Sequence, residues 1–468
     1  MEYNQITSSI RTQLENIVGV KYIYDQPNNL ERYGKDRTED LLFLPQLVVI
    51  PANTNEVSAI LKLCNQAHIP VTPRGAGTGL AGGALPVCGG ILLSMERFDK
   101  IIDIDEQNLQ VTTEPAVITE VLQNAVQAKS LYYPPDPASR GICFIGGNIA
   151  TNAGGPRAVK YGVVKDYVLN LEVVLPNGEI IWTGAHTLKN STGYNITQLM
   201  VGSEGTLGII TKAVLKLVPY PSHSLLMLVP FSSALQACAA VSAIFRAGIT
   251  PSSMEFMERR AIDIALTYVP DVKLPIQDHV QAHLIVEVDG NHLEKLYEDC
   301  ETIHHVLEQF DCDDILFADD EATKKNLWTL RRNLNQAVKL YSAVKKADTV
   351  VPRAALPPLL EGIHKICNQH GINSVNYGHA GDGNLHVTLL KEQLSDAHWN
   401  QEMPPAMRKI FELVKSLKGT ISGEHGIGWI QKSYLDIVFS DAEMQLMRAI
   451  KKAFDPNYIL NPKKIFDE

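Results

Sequence analysis

His379 and His386 stand seven residues apart around the run Ala380-Gly381-Asp382-Gly383-Asn384-Leu385. On a helix both rings would share a face, but Gly381 and Gly383 make a helix costly there. The alternation on either side instead predicts a hairpin turning at residues 381–383, with His379 and His386 facing each other across the strands. Opposed side chains in a hairpin have Cβ atoms about 5 Å apart, a span that lets two imidazoles share one divalent metal. Downstream, Ser422-Gly423-Glu424-His425-Gly426-Ile427-Gly428 sets a carboxylate beside another imidazole. Two histidines and a glutamate around a metal with open positions describe a catalytic site. Zinc is the first expectation, and iron and manganese suit the same ligands. The alternative for each histidine is a hydrogen-bonding turn residue, one of imidazole's many roles. Arg331 and Asn335 form an i,i+4 pair on one helix face. Solvated faces are the ordinary place for such cations, Lys346 included.

A second chemistry-bearing run is Pro73-Arg74-Gly75-Ala76-Gly77-Thr78-Gly79-Leu80-Ala81-Gly82-Gly83. Glycines let backbone N–H groups crowd around phosphate oxygens, and Arg74 and Thr78 add side-chain donors. Gly77, Gly79 and Gly82 satisfy the nicotinamide dinucleotide fingerprint, which requires a helix opening at the loop. Gly82, Gly83, Pro86, Gly89 and Gly90 forbid that helix, so the Rossmann reading fails and a phosphate cradle or a merely flexible loop remains. Pro135-Asp136 with Ser139, Gly146-Gly147-Asn148, Thr151-Asn152 with Gly154-Gly155, and Glu204 with Gly208-Ile209 supply further open backbone and small polar groups. Each alone reads equally well as a tight turn.

The elements that must position these groups alternate along the chain. Strands are predicted at 47–50, 69–73, 91–95, 100–104 and 109–114, helices at 55–67 and 118–128, and a hairpin at 169–183 around Asn177-Gly178. Residues 132–162 are rich in Pro, Gly and Asn, too irregular for a sheet core and too long for a plain linker. Beyond Pro219–Pro221 two successive strand–helix–strand units (225–256 and 283–318) suggest a ferredoxin-like antiparallel sheet. Helices are expected at 321–343 and over much of 404–454. The expected segments are a helical 1–39, a domain at 40–219 and a second at 220–468.

Bulk properties exclude several classes. At 468 residues the chain needs more than one core, and 45% hydrophobic with 20% charged residues is a globular balance. A net charge of −10 opposes nucleic-acid binding. The seven cysteines include no C-x-x-C pair, which argues against a disulfide framework, a cysteine zinc site or an internal iron–sulfur cluster. With no apolar signal core or membrane span, a soluble, cytoplasmic protein is expected; peripheral membrane contact and a homodimer both stay open.

In their order and spacing, the loops between about residues 40 and 220 resemble the FAD-binding domain of the vanillyl-alcohol oxidase / p-cresol methylhydroxylase superfamily. The motifs G-H-x-G-D-G-N-L-H and S-x-E-H-G-I-G resemble the C-terminal domain of the FAD-linked D-2-hydroxy-acid dehydrogenases, a group with D-lactate, glycolate and D-2-hydroxyglutarate enzymes. The resemblance implies an α+β protein: a two-subdomain FAD-binding fold, a ferredoxin-like substrate domain, and C-terminal helices packing back toward the flavin. It implies FAD with its diphosphate on Arg74–Gly79; no histidine lies between His68 and His186 to tether it, so non-covalent FAD is expected. It carries metal binding to His379, His386 and Glu424, the catalytic base to His425, and substrate contacts to Arg331, Asn335, Lys346 and Asn384. Asn461 falls where the family has N-P-G-K, and Lys463 replaces the glycine. The implied reaction oxidises a small D-2-hydroxy acid to the 2-oxo acid by hydride transfer to flavin N5. Electrons would pass to an external acceptor: an electron-transfer flavoprotein, a quinone, a cytochrome or an iron–sulfur subunit. Competing readings are a flavin subunit of a larger complex, an oxygen-using oxidase, and a zinc hydrolase with a vestigial nucleotide fold.

Overall fold

A computed structural model describes residues 2–39, 41–272, 274 and 276–468. Residue 40, the expected start of the second segment, lies outside them. The chain forms two compact units. One comprises residues 1–154, 163–220 and 424–468; the other comprises 155–162 and 221–423. Among the described residues no helix is long and apolar enough to cross a membrane, and the cysteines stand unbridged.

In the first unit, Leu47–Val49, Ile91–Ser94 and Val71–Arg74 form parallel neighbours in a four-stranded sheet. Their apolar runs, buried with the helix Thr54–Ala67, read as strands covered on both faces. Asn53 caps that helix through its side chain, accepting from the Glu56 N–H. A second, antiparallel sheet is built from Ile101–Asp105, Gln110–Thr113, Ile209–Lys216, Val168–Val174 and Ile180–Trp182. The last two form the hairpin expected around Asn177-Gly178. No helix follows the glycine run at 75–83. The irregular stretch 132–162 is more ordered than its composition suggests: Ile145–Thr151 is a short helix containing Gly146, Gly147 and Asn148, ended by Asn152 in the left-handed conformation. The far C-terminus completes this unit's core. Val71 donates to Ile459 and accepts from Asn461, so residues 459–461 run beside the strand that leads into the glycine loop.

The second unit is organised on a seven-stranded antiparallel sheet. Four strands, Leu316–Ala318, His223–Phe231, Ala282–Gly290 and Ser253–Glu258, lie in the ferredoxin-like order 4-1-3-2. Three more continue the sheet beyond Ser253–Glu258: Asn373–Gly378, Asn384–Leu390 and Val344–Val350. The helix Glu321–Tyr341 buries Leu327, Leu330, Leu334 and Val338 against the sheet. Asp396–Ser416 forms one helix that starts earlier than the 404 boundary and passes through Pro404 and Pro405. The insert 155–162 is bound by charge: Arg157 pairs with buried Glu287 at 3.0 Å, and Lys160 with buried Asp289 at 2.5 Å.

Candidate active site

Sheet register decides which groups meet in the second unit. Tyr377 and Asp348 both sit opposite His386, so the hairpin forms as expected but His379 is not the direct partner of His386. His379 lies just past the strand end, with its carbonyl accepting from Asp382 and Asn384. Two residues beyond Tyr377, it projects to the same face as His386 and meets it diagonally. The rings are 5.2 Å apart, edge to face.

Each imidazole lies against a buried carboxylate, but only His379 is hydrogen-bonded to its own. Nδ1 of His379 lies 2.8 and 3.0 Å from the two oxygens of Glu255. A carboxylate only accepts, so Nδ1 carries a proton, and in the neutral ring Nε2 then keeps its lone pair. Nδ1 of His386 is 3.2 Å from Asp348 Oδ1. Asp348 also accepts from Asn384 Nδ2 (2.9 Å) and the Gly423 N–H (2.8 Å). Such carboxylate–imidazole pairs are how metal-binding histidines are fixed in tautomer and direction. The donor set therefore suits a divalent cation.

The arginine and lysine are brought to the same sheet face. Arg331 is buried, with Nη2 2.5 Å from Glu255 Oε2 and its guanidinium over the Tyr377 ring. Among the described residues neither its Nε nor its Nη2 makes a hydrogen bond, so its tie to Glu255 is an ion pair through Nη2. Burial pushes the Glu255 carboxyl up, but the charges of Arg331 and His379 outweigh this and hold it below the usual carboxylate range. Asn335, one turn on, accepts from Lys346. Asn384 is buried with its amide N–H groups directed to Asp348 and the Thr349 carbonyl.

In the first unit, Arg74 turns back to donate to the Tyr33 carbonyl at 3.2 Å. A Cβ at Gly77, where φ is +68°, would collide with the Arg74 guanidinium; one at Gly79 would meet nothing. The backbone at Gly79 is thus open on one side, as a phosphate cradle requires. Asp136 holds Arg140, Gln123 donates to the Pro135 carbonyl, and Asn148 donates to Thr119. Gly208 packs where a Cβ would collide with Val173. Glu424 and His425 adjoin, with Nε2 of His425 3.7 Å from Glu424. Glu204 binds the turn that follows them, its carboxylate accepting from the Ile427 and Gly428 N–H groups at 2.8 Å each. Burial pushes its pKa up to about 7 against the pull of those two donors. Asn461 donates to the carbonyls of Gly83 and Glu204. Lys463, in the family's glycine position, has φ of +60°, the left-handed region that favours glycine.

The description "FAD linked oxidases, C-terminal domain" matches residues 220–465, and "FAD binding domain" matches residues 45–184. The chain belongs to the FAD-linked oxidases. This FAD-linked oxidase is 38% identical to the glycolate oxidase subunit GlcD of Bacillus subtilis (strain 168), over 98% of this chain and 97% of that one. It is 35% identical to the D-lactate dehydrogenase of Anaerostipes hadrus, over 99% and 98%. The solved structure of p-cresol methylhydroxylase with substrate bound superposes with a TM-score of 0.78 at 17% identity, covering 97% of this chain and 96% of that one. The fold is therefore of the vanillyl-alcohol oxidase / p-cresol methylhydroxylase type.

Reasoning from the sequence missed Glu255 and Asp348. Glu255 left a signal: a charged residue inside a strand expected to be buried needs a partner. Asp348 left none, because 344–350 carried no strand expectation.

Proposed function

We propose that this FAD-linked oxidase converts a 2-hydroxy acid of the D-lactate, glycolate or D-2-hydroxyglutarate type to its 2-oxo acid and passes the electrons to an external acceptor. The observation that carries this reading is the pair of adjacent imidazoles, each backed by a buried carboxylate, on the face that also holds Arg331. The relatives' names supply the substrate class.

FAD, when bound on the Arg74–Gly79 loop and the small-residue turns of the same unit, supplies the two-electron acceptor. A divalent metal, zinc first, held by His379, His386 and Glu424, would supply Lewis acidity at the substrate's oxygens. His425 removes the hydroxyl proton as general base. Arg331 offers Nε to the substrate carboxylate while Glu255 holds its Nη2, and a fixed carboxylate presents one face of the α-carbon, hence D-selectivity. Lys346 and Asn335 form a hydrogen-bonded pair one helical turn away, suited to the far end of the substrate.

Anaerobic flavin bleaching with a panel of D- and L-2-hydroxy acids, with and without chelator, tests the whole reading. D-acids are expected to bleach the flavin and chelator to slow it; equal bleaching by L-acids would sink the stereochemical assignment. His425→Asn is expected to keep its flavin and lose turnover at least 100-fold; near-normal turnover removes His425 from the mechanism. Because one relative is named a subunit, a second reading makes this chain the flavin subunit of a larger complex. Bleaching by substrate with no turnover on soluble acceptors supports it.

A further inference from the structure

We propose that Glu255 is a positioning residue that couples the substrate-carboxylate arginine to the first metal-binding imidazole, so that metal and substrate are not bound independently. This rests on the function proposed above. One carboxylate, fully buried in the strand Ser253–Glu258, is shared by two groups with different tasks. Nδ1 of His379 meets both of its oxygens, at 2.8 and 3.0 Å. Nη2 of Arg331 sits 2.5 Å from Oε2, the oxygen that is the farther from His379 Nδ1.

The register makes this sharing necessary. Phe256 pairs with Gly378 and Met257 with Tyr377, which brings Glu255 beside His379 at the hairpin's end. Arg331 arrives from the helix Glu321–Tyr341 above that face. A carboxylate has a fixed amount of charge to distribute. Arg331 draws on it and weakens its pull on the His379 N–H, and with it the basicity of Nε2 toward a metal. A substrate carboxylate on Arg331 Nε adds negative charge and partly offsets that draw. Bound substrate therefore strengthens His379 as a ligand, and by linkage bound metal strengthens substrate binding by the same factor. Asp348, beside His386, accepts from Asn384 and Gly423.

The test uses the FAD-loaded full chain. Zinc affinity is measured by competition with a chromophoric chelator, and KM and kcat with the best hydroxy acid of the panel. Glu255→Gln keeps the shape and removes the charge. Zinc affinity is expected to fall about 10–100-fold, and KM to rise several-fold at saturating zinc. Arg331→Met, measured without substrate, is expected to bind zinc more tightly than the wild type. Glu258→Gln, on the same strand and bound to His364 and Asn376, serves as the structural control and is expected to change the melting temperature alone. If Glu255→Gln also shifts only the melting temperature, and Arg331→Met leaves zinc affinity unchanged, the coupling is overturned. A wild type that binds no zinc, manganese or iron instead refutes the metal half of the proposed function, and unchanged KM in Glu255→Gln then overturns the Glu255 role as well. A wild type that oxidises no hydroxy acid refutes the substrate half, and the zinc arms alone decide. Independently of both, selectively labelled wild type should show a far-downfield imidazole N–H proton resonance that disappears in Glu255→Gln; its absence from the wild type overturns the assignment.

Discussion

A buried ionisable side chain is tolerable only when something meets its charge or when it gives the charge up, and this protein uses both solutions. Glu255 stays charged between Arg331 and His379. His283 takes the other course. Its Nδ1 has no hydrogen-bond partner among the described residues, and burial, with Arg259 adding to it, pushes its pKa down to about 4. The unfolded chain takes up this proton near pH 6.5, whereas the folded chain resists until about pH 4. Stability from this residue is full above pH 6.5 and is lost as the pH falls toward 4, by about 3 kcal/mol at most. His283→Leu is expected to lose less stability than the wild type between pH 7 and 4.5, measured as urea-unfolding free energies; identical slopes would show that His283 is solvated in the folded state.

At the scale of elements, the histidine hairpin depends on its turn. Gly383 has φ of +83°, and a Cβ there would collide with the Val351 carbonyl. Gly383→Ala is expected to cost about 2–4 kcal/mol and, with the metal site proposed above, to lower zinc affinity, since His379 and His386 lie at the two sides of that turn. Retention of both wild-type stability and metal affinity would mean the turn re-forms without glycine. This turn was legible in the sequence because glycine spacing and strand alternation are local signals. The diagonal meeting of His379 with His386 was not, because a register shift of two residues leaves the alternation pattern unchanged. The glycine loop was legible in what it could not be: Gly82, Gly83 and Pro86 forbade a helix, and none forms. The helix Ile145–Thr151 was hidden because two glycines at its start disguise it; its far end is fixed by Asn152 in the left-handed cap, a detail of backbone geometry. Glu255 and Asp348 gain their partners from strands and helices far away in sequence, and no local pattern announces such pairings.

At the scale of the whole molecule, neither unit is one continuous piece of chain. The second unit borrows 155–162, and its buried Glu287 and Asp289 receive their cations from Arg157 and Lys160 in that insert. Residues 221–423 expressed alone lack those partners, and losing them costs about 3 kcal/mol for each carboxylate that stays buried. That piece is expected to melt well below the full chain, and Glu287→Gln with Asp289→Asn to recover part of the difference. A fragment as stable as the full chain would show that the insert is dispensable.

The first unit has the opposite dependence. Its glycine-loop strand leans on residues 459–461, and the Glu204 carboxylate on Ile427 and Gly428. On the ribosome, everything the second unit needs has been made by residue 423, while the first still lacks 45 residues, 424–468. At about 5–20 residues per second, the segment carrying the glycine loop waits several seconds for its last pieces. The unit begun first is finished after the second, and a flavin that needs its completed walls can be taken up only once residues 424–468 have been made.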